Sequence, residues 1–173
     1  MGEQFNSIDL DALSLSTGEG RHLELEVAPG SLELGGEDYE LDPEPVAARL
    51  DVSRSASGHG MRIRFSGEAV GPCMRCLAEA RVPVLVEARE VDHARATDEE
   101  LRSPYVEEGI LDLGSWAHDA LALALPPKLL CRPDCAGLCP ACGDSLNDAD
   151  PADHEHDSGG DPRWAKLREL NLE

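Results

Sequence analysis

The chain has 173 residues and carries 35 acids against 15 bases, a formal charge of −20. Neutralising nucleic-acid phosphates takes Lys and Arg, and with only two Lys present tight binding to bare RNA or DNA is disfavoured. Basic proteins are the more natural partners. No apolar run approaches the roughly 18 residues of a membrane-crossing helix, and Met1-Gly2-Glu3-Gln4-Phe5-Asn6 lacks the basic start and apolar stretch of an export signal. A cytoplasmic protein is expected. Aromatic residues make up 3 % of the chain, so its core must rest on Leu, Val, Ala and Ile.

In chain order, residues 1–20 are polar and rich in Ser and Gly, which reads as a flexible lead-in. Leu23, Leu25 and Val27 alternate with Glu24 and Glu26 at strand period. Pro29-Gly30 turns the chain, and Ala48, Leu50 and Val52 alternate again. Ser55 to Gly60 has turn composition. Met61, Ile63, Phe65 and Ala69 follow on one face, and Val82, Val84, Val86 and Ala88 repeat the pattern. Three or four antiparallel strands are expected here, with Cys73-Met74-Arg75-Cys76 at the last hairpin tip. Residues 92–109 are acidic and patternless and read as a mobile connection. Leu113, Trp116, Ala117, Ala120, Leu121 and Ala124 then form the apolar stripe of a helix. Asp112 is its expected N-cap, and Pro126-Pro127 stops it. From Asp144 to Asp161 there are seven acids and no Lys or Arg, a composition that predicts disorder unless a metal fixes it. Asp161-Pro162 opens a short helix with Trp164, Leu167 and Leu170 on one face.

The six cysteines fall into two clusters, Cys73/Cys76 and Cys131-x3-Cys135-x3-Cys139-Pro140-Ala141-Cys142-Gly143, with His154-x-His156 twelve residues beyond. Without an export signal such cysteines read as metal ligands or redox thiols rather than a disulfide frame. A closed structural zinc site takes four ligands. The eight residues Cys73, Cys76, Cys131, Cys135, Cys139, Cys142, His154 and His156 are enough for two ions. Pairing across the clusters puts Cys73, Cys76, Cys131 and Cys135 on one ion and Cys139, Cys142, His154 and His156 on the other. The alternative gathers Cys131, Cys135, Cys139 and Cys142 on one ion and leaves Cys73/Cys76 two ligands short. Gly143 is expected to relieve backbone crowding around an ion. His154 and His156 share one side of an extended segment, but two surface histidines in an acidic loop would look the same. His22, His59, His93 and His118 are isolated and read as surface residues.

A thiol oxidoreductase or zinc enzyme using Cys73/Cys76 is the rival reading. Cys76, however, is followed by strand-like sequence rather than the helix that lowers a redox thiol's pKa. A zinc deaminase needs H-x-E before P-C-x-x-C, and here the His pair follows the Cys pair. No nucleophile–base pair, phosphate loop or small-molecule site is evident. A direct RNA binder would depend on Arg62, Arg64, Arg75, Arg81 and Arg89 around the hairpin.

The fold class is therefore α+β: a small antiparallel sheet with a zinc-knuckle hairpin, one main helix, and a C-terminal Cys/His segment ending in a short helix. The organisation reads as a flexible lead-in over 1–20, a β-rich core with the central helix and first zinc site over 21–135, and a zinc-binding tail with a short helix over 136–173. One or two zinc ions are expected.

Cys73-x-Arg75-Cys76-Leu77, the helix running into Leu123-Ala-Leu-Pro126, Leu130-Cys131-x3-Cys135-x-Gly137-Leu138-Cys139-Pro140-x-Cys142-Gly143-x-x-Leu146-Asn147 and Asp161-Pro162-Arg163-Trp164-Ala165-x-Leu167 occur in this order. Over residues 40–173 the chain thus resembles the bacterial YceD family, the large ribosomal RNA subunit accumulation proteins. Relatives often carry Cys-x-Cys where His154-Glu155-His156 stands here, a change that keeps zinc chemistry. The family's gene often neighbours that of a small zinc-ribbon protein of the large subunit. The resemblance implies a non-catalytic accessory factor in large-subunit biogenesis. Its partner would be a basic large-subunit ribosomal protein or a pre-ribosomal particle, with no membrane involved.

Overall fold

The computed structural model describes residues 6–93, 101–147 and 156. The elements run β1 (Ser7–Asp9), β2 (Gly20–Val27), β3 (Leu32–Leu34), β4 (Glu37–Asp42), β5 (Val46–Arg54), β6 (His59–Pro72), β7 (Glu79–Asp92), β8 (Val106–Glu107), β9 (Ile110–Asp112) and α1 (Leu113–Ala124). This is the antiparallel sheet with one main helix that the pattern predicts. Six strands form the main sheet, ordered β2-β5-β6-β4-β3 with β7 on the other side of β6. β6 is its spine. Along one edge it pairs first with β5 and then with β4, and along the other it pairs with β7 from His59↔Asp92 to Pro72↔Glu79.

The alternation in sequence sets which face is buried. Val46, Ala48, Leu50 and Val52 of β5 and Met61, Ile63 and Phe65 of β6 all point into the core. Buried aliphatic or aromatic side chains of this size contribute about 1.5–3 kcal/mol each. α1 covers that face with Leu113, Trp116, Ala117, Ala120 and Leu121. The Asp112 carboxylate caps the helix by accepting the Ser115 N–H at 3.0 Å. Leu125 is already extended, as a residue before proline prefers.

The sheet is larger than the expected three or four strands, because β3 and β4 lie beyond the Pro29-Gly30 turn. Leu34 pairs with Glu37 across Gly35-Gly36, both at positive φ (68° and 89°). Gly-Gly between short strands is the signal of a two-residue hairpin. The lead-in is not featureless either: Ser7–Asp9 pairs with β9, and Leu10 is 1 % exposed. β8 falls within the stretch expected to be a mobile connection and builds the small sheet β1-β9-β8. Residues 94–100 and the short helix expected from Asp161 lie outside the described residues. His59 is buried, not on the surface; its Nε2 faces an Arg54 Nη1 donor at 2.8 Å, and burial and Arg54 both lower its pKa.

Candidate metal centre

The β6–β7 hairpin tip and the segment after α1 meet at four sulfurs. Cys73 Sγ lies 3.8 Å from Cys135 Sγ, and Cys76 Sγ lies 3.5 Å from Cys131 Sγ. All four sulfurs are within 4.8 Å of one another. A tetrahedron of thiolates about 2.3 Å from zinc has S···S edges of about 3.8 Å, so the cluster has the size of a closed four-thiolate site. The separations are too long for S–S bonds of about 2.05 Å, and none of the six cysteines is in a disulfide. Cys73, Cys76 and Cys135 are buried and Cys131 is partly so.

The electrostatics suit a cation. Burial works against ionising Cys73, but the backbone N–H groups of Cys131, Arg75 and Cys76 aim at its sulfur and bring its pKa down to about 6. Cys131 moves the other way, to about 12, because the Cys76 sulfur and burial oppose a second negative charge. Four thiols this close cannot all ionise without a positive centre between them.

Local backbone geometry repeats in the two Cys-x-x-Cys knuckle turns, Cys73–Leu77 and Cys139–Gly143. Cys73 N–H donates to the Ala78 carbonyl at 2.7 Å, and Leu77 N–H to the Cys73 carbonyl at 2.9 Å. Cys139 N–H donates to the Asp144 carbonyl at 2.7 Å, and Gly143 N–H to the Cys139 carbonyl at 2.8 Å. The residue after the second cysteine is left-handed in both, Leu77 at φ 61° and Gly143 at φ 81°. Gly143 is there for that conformation rather than to relieve crowding, since a Cβ on it would meet nothing within 4 Å.

Cys139 and Cys142 gather with His156, their ligand atoms within 4.8 Å of one another. Cys139 is buried, whereas Cys142 and His156 are exposed. Cys142 is raised, the net of an N–H at Asp144 that lowers it and burial and Cys139 that raise it. His154 lies outside the described residues.

Residues that the cysteine spacing does not reveal join the hairpin tip to the segment after α1 and brace that segment internally. Arg75 donates to the Ala136 carbonyl at 3.0 Å, and Arg132 to the Asn147 carbonyl at 2.7 Å. The Asn147 Oδ1 accepts the Ala136 N–H at 2.8 Å. Gly137, at φ 87°, passes so close to the hairpin that a Cβ would lie 3.2 Å from the Arg75 carbonyl. Tyr39 donates its hydroxyl to the Pro72 carbonyl at 2.9 Å, bracing the strand just before Cys73.

These features define an antiparallel sheet protein whose hairpin tip carries a tetracysteine cluster able to hold a metal ion. The model of the family described as "Large ribosomal RNA subunit accumulation protein YceD" matches residues 61–171, which span the hairpin, helix and both cysteine clusters. The chain belongs to the YceD family. It is 44 % identical over 129 residues to uncharacterized proteins of Mycobacterium tuberculosis and Mycobacterium bovis, covering 70 % of this chain and 60 % of theirs. An uncharacterized protein of Mycobacterium leprae is 37 % identical over 106 residues, 58 % of this chain and 48 % of its own length. The chain therefore spans less than two thirds of the length of these relatives. No solved structure matches.

Proposed function

We propose that this protein is a non-catalytic accessory factor in large ribosomal subunit biogenesis, held together by zinc, that binds a basic ribosomal protein in the cytoplasm. The observation that carries the reading is the four-sulfur cluster of Cys73, Cys76, Cys131 and Cys135, in a chain whose family is named for accumulation of the large ribosomal RNA. Four thiolates complete a tetrahedral shell and leave no open position for a reacting water. Three of the sulfurs are buried, which argues against thiol chemistry with an external substrate. Cys139, Cys142 and His156 would hold a second, more exposed ion, with His154 as the fourth ligand.

The partner follows from charge. A −20 chain repels phosphates and attracts basic surfaces. The arginines that an RNA reading would use are already engaged. Arg62 and Arg89 pair with Glu87, Arg64 with Asp51 and Arg81 with Asp42, while Arg75 donates to the Ala136 carbonyl. No helix among the described residues is long and apolar enough to cross a membrane.

The test is a titration of the zinc-loaded chain against basic large-subunit proteins and ribosomal RNA fragments in parallel, at low and physiological salt. A basic protein is expected to bind, and more weakly as salt rises. Tight RNA binding at physiological salt with no basic protein bound would overturn the reading.

A further inference from the structure

β7 has one paired edge and one open edge. In an antiparallel ladder, successive residues turn their N–H and C=O groups to opposite edges. At the hairpin tip the Ala78 carbonyl accepts from Cys73, so even-numbered residues of this arm face β6. At the far end the N–H of His93 bonds the Leu101 carbonyl at 2.9 Å, on the outer side. Leu85, Glu87 and Arg89 therefore turn their backbone groups away from β6, and among the described residues nothing bonds them. Pro83 has the same parity and offers no N–H, which blunts the lower part of the edge. From Val84 to Val91 no proline interrupts it.

α1 lies beside this open stretch. Trp116, Ala120 and Leu123 of the helix and Leu85 and Ala88 of the strand line a groove of about 490 Å³. Leu123 is 89 % exposed and Leu85 77 %, the two most exposed large apolar side chains among the described residues. Both belong to this one groove. An unpaired strand edge beside a helix accepts an extended peptide: the backbone groups provide affinity, and alternate side chains enter the groove.

We propose that the β7 edge and the α1 groove take an extended basic segment of a partner protein as an added strand. This rests on the reading above that the partner is basic. Alternate apolar side chains of the segment face Trp116, Ala120 and Leu123. Its cations lie beside Glu90, which lines the groove, and Asp119, which accepts from the Tyr105 hydroxyl at its wall; Glu87 is already paired with Arg62 and Arg89. A second copy of this chain would bring two −20 molecules edge to edge, so charge favours the basic partner.

The probe is a synthetic ten-residue peptide alternating valine and lysine, with a valine–glutamate peptide as control. Both are titrated into the zinc-loaded 173-residue chain by anisotropy, with amide hydrogen exchange on the same samples. The lysine peptide is expected to bind at least tenfold more tightly than the control and to protect the Leu85, Glu87 and Arg89 amides. Leu85→Pro removes one outward N–H at a parity that Pro83 shows the strand tolerates. It is expected to weaken binding at least tenfold with the thermal midpoint retained, and Leu123→Ser is expected to weaken it independently. Unchanged affinity in both variants, or binding without protection of those amides, overturns the proposal. The basic-partner reading survives that outcome if a basic large-subunit protein still binds. Two further outcomes overturn it. One is protection of the three amides in the free monomer, which assigns the edge to the chain's own segments. The other is dimerisation in sedimentation that Leu85→Pro abolishes.

Discussion

Met74 donates its backbone N–H to the Leu129 carbonyl at 2.9 Å, and the Leu129 N–H rests on the Met74 sulfur at 3.4 Å. This reciprocal contact joins the hairpin tip to the segment after α1 without using a cysteine. Leu129 is 1 % exposed, so its side chain anchors the segment that delivers Cys131 and Cys135. Leu129→Ala is expected to cost about 2–4 kcal/mol by the usual core-truncation penalty. It is also expected to weaken metal binding at the four-cysteine cluster. Denaturant unfolding and chelator competition, run on the same variant, check both effects; unchanged metal affinity would separate the anchor from the site.

The two clusters predict two zinc ions of unequal tenacity. The buried four-cysteine cluster is expected to hold its ion against a mild chelator, and the exposed Cys139/Cys142/His156 group to release its ion first. Cys73→Ser is expected to lose the inner ion and destabilise the sheet domain, while His156→Ala loosens only the outer one. Elemental analysis before and after dialysis checks this. Purified, reduced protein with no zinc would contradict the central reading.

Leu77 and Gly143 occupy equivalent left-handed positions in the two knuckles, and only glycine does so without strain. A non-glycine residue in this region costs roughly 1–2 kcal/mol, part of which glycine's extra chain entropy cancels. Leu77→Gly is therefore expected to stabilise the fold by up to about 1 kcal/mol. Leu77 is exposed, so little packing is lost. Gly143→Ala is expected to destabilise the second knuckle by a similar amount and to lower its zinc affinity. Thermal melts of the two variants should shift in opposite directions.

Asp51 gives the sheet an acid-sensitive element. Burial works to raise its pKa, but hydrogen bonds from Arg49 and His22 and the charge of Arg64 hold it down to about 2, from an ordinary 3.8. A carboxyl lowered on folding stabilises fully above its unfolded value and loses that contribution as pH falls through the folded one. The expected loss therefore runs from about pH 4 to about pH 2. Asp51→Asn should remove that part of the acid-unfolding profile and cost about 1 kcal/mol at neutral pH, less at high salt. An acid-unfolding profile identical to the parent's would contradict it.

What the sequence disclosed tracks how local each signal is. The strands around Leu50, Ile63 and Val86 were legible because one face meets the core and the other meets water, so apolar residues recur at every second position. The helix was legible for the same reason at its own period, with Asp112 and Pro126 marking its ends. β1, β8 and β9 were not: each has two or three residues, too few for alternation to register. Cysteine spacing marked the candidate ligands, but which sulfurs meet depends on how the hairpin tip docks. That docking runs through Arg75, Leu129 and Gly137, none of which carries metal-binding chemistry. Burial of His59 was hidden as well, because it depends on the packing of the turn at Gly58, where a Cβ would lie 1.8 Å from the Asp92 carbonyl oxygen.

The Cys76–Cys131 approach spans 55 residues of chain. An ion held there would close a loop containing β7, the small β8–β9 ribbon and the whole of α1. Closing a loop of that length removes about 4 kcal/mol of chain entropy from the unfolded ensemble, by the relation that holds for disulfides. A disulfide would yield to a reductant, whereas a metal staple would ignore reductants and yield to chelators. The resistance of the fold to heat would then rise and fall with free zinc, by mass action on the native state alone.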